Sequence, residues 1–144
     1  MNKNTVCLDA NFIVLLVSLK DSENICQKKW QEWQLSNTVI VALTLMMYEV
    51  SNAFHRAVKA GQITKDESES LLETALNLGI HFYGDSNVPQ EALKIANLYN
   101  LTATYDAHYL ALAQRLKVEL WTADQRLFNG VSQFLSWVKL IEVN

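Results

Sequence analysis

Proline occurs once in this 144-residue chain, glycine four times and cysteine twice. So few chain breakers, with 50% of residues hydrophobic, exclude a disordered, collagen-like or low-complexity chain. Cys7 and Cys26 are too few for a disulfide framework. Cys7 lies in an apolar run and reads as a buried thiol, which suits a reducing cytoplasm. No apolar stretch reaches the ~18 residues of a membrane span. The first residues also lack the apolar segment of a signal peptide, so the expected setting is cytoplasmic, without a membrane. There is no excess of positive charge: 12 Lys and Arg stand against 15 Asp and Glu, a net charge of −3. That excludes a general basic coat for nucleic acid but leaves room for a local basic rim. Glycine-rich phosphate loops are missing, so nucleotide-cofactor binding has no support. His55, His81 and His108 show no metal-ligand spacing, and zinc is not expected.

The length suits a single domain over residues 1–144, large enough to need no metal or disulfide staple. Short apolar runs alternate with helical stretches. Strands are read at Thr5–Leu8, Thr38–Ala42, Ile80–Tyr83, Val118–Thr122 and Val138–Val143. Helices are read at about 22–35, with Ile25, Trp30, Trp33 and Leu35 as apolar positions, and at 43–60, 64–79, 89–99 and 105–117, with a short one near Asp124. Residues 10–19 fit a strand or a helix equally. Gly61 suits the residue after a helix, Thr64 and Glu67 form a capping box, and Pro89 fits a first helical turn. The alternation calls for an α/β fold: a three-layer α/β/α sandwich around a parallel sheet of about five strands, with right-handed crossovers.

In such sheets ligands sit at the carboxyl ends of the strands, where strand order reverses. Asp9 directly follows the first strand, Asp124 lies two residues after the fourth, and Asp106 opens the helix between. Glu49 sits mid-helix among Leu45, Met46, Met47, Val50, Ala53 and Phe54, on a face shared with Asn52 and Arg56. Each has a plainer reading when taken alone. Asp is a favoured N-cap, an acid in a first turn favours the helix dipole, and Glu49 would pair with Arg56 or face solvent. Independent caps give no reason for a mid-helix glutamate to join them.

Carboxylates gathered in one cleft repel, and some protonate unless a cation neutralises them. Oxygen-only donors select a hard divalent ion, Mg2+ or Mn2+, which takes a few carboxylates together with substrate phosphate oxygens. A cluster of this kind suits phosphodiester chemistry.

The segment Thr104-Tyr-Asp-Ala-His-Tyr-Leu-Ala-Leu-Ala113, followed by Leu120-Trp-Thr-Ala-Asp-Gln-Arg-Leu127, resembles the PIN-domain family. More narrowly, it resembles the VapC-type toxins of bacterial toxin–antitoxin pairs. Leu8-Asp-Ala-Asn11 resembles the family's opening Asp motif, and Leu45-Met-Met-Tyr-Glu-Val-Ser-Asn-Ala53 its Glu-bearing helix. The resemblance implies an α/β/α sandwich with strand order 3-2-1-4-5 and metal-dependent endonucleolytic cleavage of RNA. It implies Asp9, Glu49, Asp106 and Asp124 as the acidic catalytic and metal-binding residues, with Mg2+ or Mn2+ as cofactor. Thr122 takes a Ser/Thr position that would bond a ligand or water, and Asn11 stands where many members carry a small hydroxyl residue. The implied partners are an RNA substrate, an antitoxin that blocks the site through a basic residue, and a second copy in a homodimer.

Arg56, Lys59, Arg115, Lys117 and Arg126 are candidates for a phosphate rim, Arg56 and Arg126 foremost. Trp30, Trp33 and Trp121 would stack bases or, as the plainer alternative, pack in the core. Asp85 reads as a turn residue. A PIN-like module that binds RNA or protein without cleaving it is the competing reading. An aspartyl-phosphate enzyme would need a second Asp where Asn11 stands.

Overall fold

A computed structural model describes residues 4–18, 24–84 and 86–142. Asp85, positions 22 and 23 at the front of the second predicted helix, and Val143 at the end of the last predicted strand lie outside the described residues. The elements run β1 (Thr5–Leu8), α1 (Ala10–Ser18), α2 (Ile25–Leu35), β2 (Val39–Leu43), α3 (Leu45–Lys59), α4 (Lys65–Leu76), β3 (His81–Tyr83), α5 (Val88–Leu98), α6 (Thr104–Leu116), β4 (Glu119–Thr122), α7 (Gln125–Val131) and β5 (Val138–Leu140).

The five strands form one parallel sheet in the order β3-β2-β1-β4-β5. Strands one to three step toward one edge, and strands four and five toward the other. Right-handed crossovers then place α1–α4 on one face and α5–α7 on the opposite face. The order reverses between β1 and β4, which opens the crevice where α/β proteins bind ligands. Leu8 pairs with Trp121 in the register of these two strands, so the next residues, Asp9 and Thr122, meet at the strand ends.

β1 and β2 are covered on both faces, which is why Val6, Cys7, Leu8, Ile40, Val41, Ala42 and Leu43 read as nearly unbroken apolar runs. The ambiguous stretch after Asp9 is helix α1, whose Phe12, Ile13 and Leu16 enter the core. Its β-branched residues are tolerated because tertiary burial outweighs a weak local propensity.

Local signals stop and start the helices. Gly61 takes a left-handed φ of 76° just after the α3 C-cap, and Thr64 and Glu67 close both halves of a capping box at α4. Pro89 lies in the first turn of α5. The inward face of α2 differs from expectation: Cys26 and Trp33 are buried, whereas Ile25 and Leu35 are exposed. Those outward residues lie on the wrong side of the helix to reach the sheet. Trp33 lies tilted against Phe12 and meets Trp121 edge-on, and Trp30 packs against the core, so the three tryptophans serve packing. Cys7 is fully buried, as its apolar run implies. No helix among the described residues is long and apolar enough to cross a membrane.

Candidate active site

Asp9 and Asp124 are helix caps, as the plainer reading holds, but each cap occupies only one carboxylate oxygen. Asp9 Oδ1 accepts the Phe12 amide at 3.1 Å, at the start of α1. Asp124 Oδ1 accepts the amides of Arg126 at 2.9 Å and Leu127 at 3.2 Å, at the start of α7. The second oxygens face the crevice between β1 and β4. Asp9 Oδ2 accepts from the Thr122 hydroxyl, and Asp124 Oδ2 accepts from Asn11 Nδ2 at 3.5 Å. The Thr122 oxygen also accepts the Asp124 amide at 2.9 Å. Thr122 is fully buried, so this one hydroxyl ties the ends of β1 and β4 to both aspartates.

Glu49 and Asp106 arrive from helices. α3 buries Met46, Val50 and Phe54, and Glu49 lies half-buried beside that stripe. Its Oε1 accepts the hydroxyl of Tyr109 at 2.5 Å, a contact between helices assigned to opposite faces of the sheet. Asp106 stands in the first turn of α6 and makes no hydrogen bond to a described residue.

Electrostatics links the four acids. Asp9 is 2% exposed, and burial raises its pKa to about 7, with Asp106 and Asp124 adding to the rise against the Thr122 and Phe12 hydrogen bonds. Asp106 is raised to about 6 by burial, then by Asp124 and Glu49. The Tyr109 hydroxyl is pushed far up by burial and by the Glu49 carboxylate it bonds, with Asp9 contributing. Residues from positions 9, 49, 106 and 124 therefore sense one another's charge. No ion pair to any of them is present among the described residues.

The donor chemistry fits a hard divalent cation: carboxylate oxygens only, with excess negative charge and, among the described residues, no basic side chain paired to offset it. Among the described residues, no three His, Cys, Asp or Glu side chains already converge tightly enough to hold an ion. The hydrogen bonds give the reason. Asp9 and Asp124 each have both oxygens engaged and Glu49 has one, and like charges do not draw together without a cation between them.

Nothing in the sequence pattern pairs Tyr109 with Glu49. Its signal is a lone polar tip within a small, apolar helix segment, since a buried tyrosine hydroxyl needs a partner. Two of the expected rim residues lie elsewhere. Arg115 pairs with Glu91 of α5 at 2.8 Å, and Lys117 caps the far end of α6 in a left-handed conformation. At a rise of about 1.5 Å per residue, Lys117 lies roughly 16 Å along the helix from Asp106. Arg56 and Arg126 are exposed and without an ion-pair partner among the described residues. His108 Nδ1 lies 2.6 Å from the Thr104 carbonyl, so that ring nitrogen is engaged within its own helix.

The sheet order and the acid-bearing crevice define a recognised class. The PIN-domain family model matches residues 6–132, and the chain belongs to the PIN-domain family. Over 89 residues it is 33% identical to the protein named Ribonuclease VapC3 from Pyrobaculum aerophilum. That match covers 59% of this chain and 66% of the relative, slightly under two thirds of its length. Among solved structures, the crystal structure of PAE2754 from Pyrobaculum aerophilum superposes with a TM-score of 0.68 at 22% identity, covering 88% of this chain and 85% of that one. A toxin–antitoxin complex from Klebsiella pneumoniae contains a chain with a TM-score of 0.62 at 19% identity, covering 92% of this chain and 94% of its own. At those identities the two structures speak for the fold.

Proposed function

We propose that the chain is a divalent-metal-dependent endoribonuclease acting as the VapC-type toxin of a toxin–antitoxin pair. The observation that carries the reading is the electrostatic coupling of Asp9, Glu49, Asp106 and Asp124 at the reversal point of a PIN-domain sheet. The relative named Ribonuclease VapC3 and the structural neighbour from a toxin–antitoxin complex support it. In this reading residues 1–144 act as one domain in the cytoplasm, as a homodimer that an antitoxin inhibits.

Asp9, Glu49, Asp106 and Asp124 would hold Mg2+ or Mn2+. Such an ion, when bound, supplies positive charge to the phosphate and lowers the pKa of a water. The chain supplies the alignment. Thr122 fixes Asp9 and the turn into Asp124, and Tyr109 fixes the carboxylate of Glu49. Asn11 steadies the second oxygen of Asp124. Asp106, with no protein hydrogen bond to give up among the described residues, is the acid freest to take a ligand. Arg56 and Arg126 would meet flanking phosphates.

Asp106→Asn is the cleanest test, because it removes a charge without removing a described hydrogen bond. Loss of RNA cleavage in Mn2+ with an unchanged circular dichroism spectrum is expected, and the same for Asp9→Asn. Full activity in either variant refutes the reading. Calorimetry separates it from a non-cleaving module: Mn2+ should bind wild type and fail to bind Asp124→Asn, whereas no binding to wild type would favour the module.

A further inference from the structure

Beside Glu49 lies a cavity of about 390 Å3 lined by Leu45, Tyr48, Glu49, Asn52, Arg56 and Tyr105. Five of these six belong to α3 at spacings of three and four, so they form one continuous stripe along its outer face. Tyr105 comes from the opening turn of α6, one residue before Asp106. Two of the four acids, Glu49 and Asp106, are thus each preceded directly by a tyrosine that lines the same cavity.

Tyr48 is 70% exposed and Tyr105 60% exposed. Neither ring stacks on another aromatic among the described residues. The exposed amide of Asn52 offers donors and an acceptor along the stripe, and Arg56 brings a positive charge, without an ion-pair partner among the described residues, to its end. An apolar protein helix would find only Leu45 and two tyrosines amid polar groups. Aromatic faces, an amide and a guanidinium instead match an unstacked base, its edge and its phosphate. The cavity size falls in the range of small-ligand clefts, roughly 300–1,000 Å3.

We infer that this cavity seats one unstacked nucleobase of single-stranded RNA against Tyr48 and Tyr105, with Arg56 on an adjoining phosphate. The inference rests on the ribonuclease reading and adds to it a base-binding subsite next to Glu49. The subsite would register the strand, so that the phosphate beside the held nucleotide lies over the acids. It also explains how a chain of net charge −3 grips a polyanion, with stacking standing in for a basic coat.

Fluorescence anisotropy with a short labelled single-stranded RNA, in chelator so that nothing is cut, reads this subsite apart from catalysis. Tyr48→Ala and Tyr105→Ala should each weaken binding roughly 5- to 100-fold, the span expected for loss of one base–aromatic stack. Tyr48→Phe and Tyr105→Phe should stay near wild type, because the ring face is what binds. An abasic sugar-phosphate oligomer should bind wild type more weakly than RNA does, and that difference should shrink in the double alanine variant. Alanine variants that bind RNA as tightly as wild type overturn the inference, as do phenylalanine variants that lose as much as alanine. Cleavage by wild type after Mn2+ is added back keeps the nuclease reading alive in those cases. Wild type that neither binds nor cuts RNA overturns both.

Discussion

The hydroxyl of Tyr109 donates to Glu49 Oε1 at 2.5 Å, joining α6 to α3 at the mouth of the crevice. Tyr109 is 1% exposed, so its position is set by the core, and it transmits that rigidity to a half-buried acid. Removing the hydroxyl leaves the ring's packing intact but frees the carboxylate. Tyr109→Phe should lower metal-dependent RNA cleavage about 10- to 100-fold, as loss of a partner that orients a metal ligand does elsewhere. Urea unfolding should show a loss of only about 1 kcal/mol. Wild-type cleavage rates in Tyr109→Phe would show that Glu49 needs no such anchor.

Thr122 is a harsher case because its one hydroxyl serves two groups at once. Its oxygen donates to buried Asp9 and accepts the Asp124 amide, so a shape-preserving Thr122→Val strands a buried carboxylate oxygen and an amide together. Leaving such groups unpaired costs roughly 1–3 kcal/mol each. Thr122→Ser keeps the hydroxyl and should recover most of that stability in denaturant titrations. Equal losses in the two variants would mean that the methyl group, rather than the hydroxyl, matters at this position.

Much of this site is legible in the sequence because strand ends are. Asp9 and Asp124 follow apolar runs directly, and parallel strands flanking a reversal bring their ends together whatever the side-chain detail. Glu49 is legible as a charge in an apolar helix. What binds it is not, because Tyr109 lies 60 residues away and only the packing of α6 chooses the pair. Residues 10–19 fit helix or strand equally in sequence, because a short apolar run buried on a sheet has the same composition either way; 10–18 form α1, and position 19 lies outside the described residues. The rim assignments for Arg115 and Lys117 fail for a related reason. Distance along the sequence from Asp106 is small, yet a straight helix carries them to the opposite end of the sheet.

If the site takes a divalent ion as proposed, its acidity makes stability and metal binding depend on pH in opposite directions. Asp9 titrates at about 7 and Asp106 at about 6 in the folded chain, against an ordinary value of 3.8. Between those values the folded state retains protons that the unfolded chain has released. The metal-free protein should therefore lose stability as pH rises from about 4 to about 7 and then level off. Asp9→Asn should flatten that slope. Divalent ions bind the deprotonated acids, so Mn2+ affinity should climb over the same window and binding should release protons. Thermal melts across pH, with and without Mn2+, and calorimetry in buffers of different ionisation enthalpy check both signs. A metal-free protein that grows more stable from pH 5 to pH 7 in step with Asp9 titration would contradict the assignment.

Arg126 and Arg115 offer a controlled pair for the phosphate rim. Both are arginines of the stretch after Asp106, but Arg126 is exposed two residues after Asp124, whereas Arg115 is tied to Glu91 at 2.8 Å. An arginine on a phosphate releases a counter-ion, so removing it reduces the slope of log affinity against log salt by about 0.7 for a single strand. Arg126→Gln should produce that change and weaken binding alike for RNAs of different sequence, since a phosphate contact carries no base information. Arg115→Gln should leave the slope unchanged and cost a little stability through the lost pair, up to about 1 kcal/mol for a partly exposed bridge. Anisotropy titrations over a range of salt concentrations, with chelator present, measure both slopes. An unchanged slope in Arg126→Gln would place the RNA backbone away from α7 and leave Arg56 as the leading candidate for the rim.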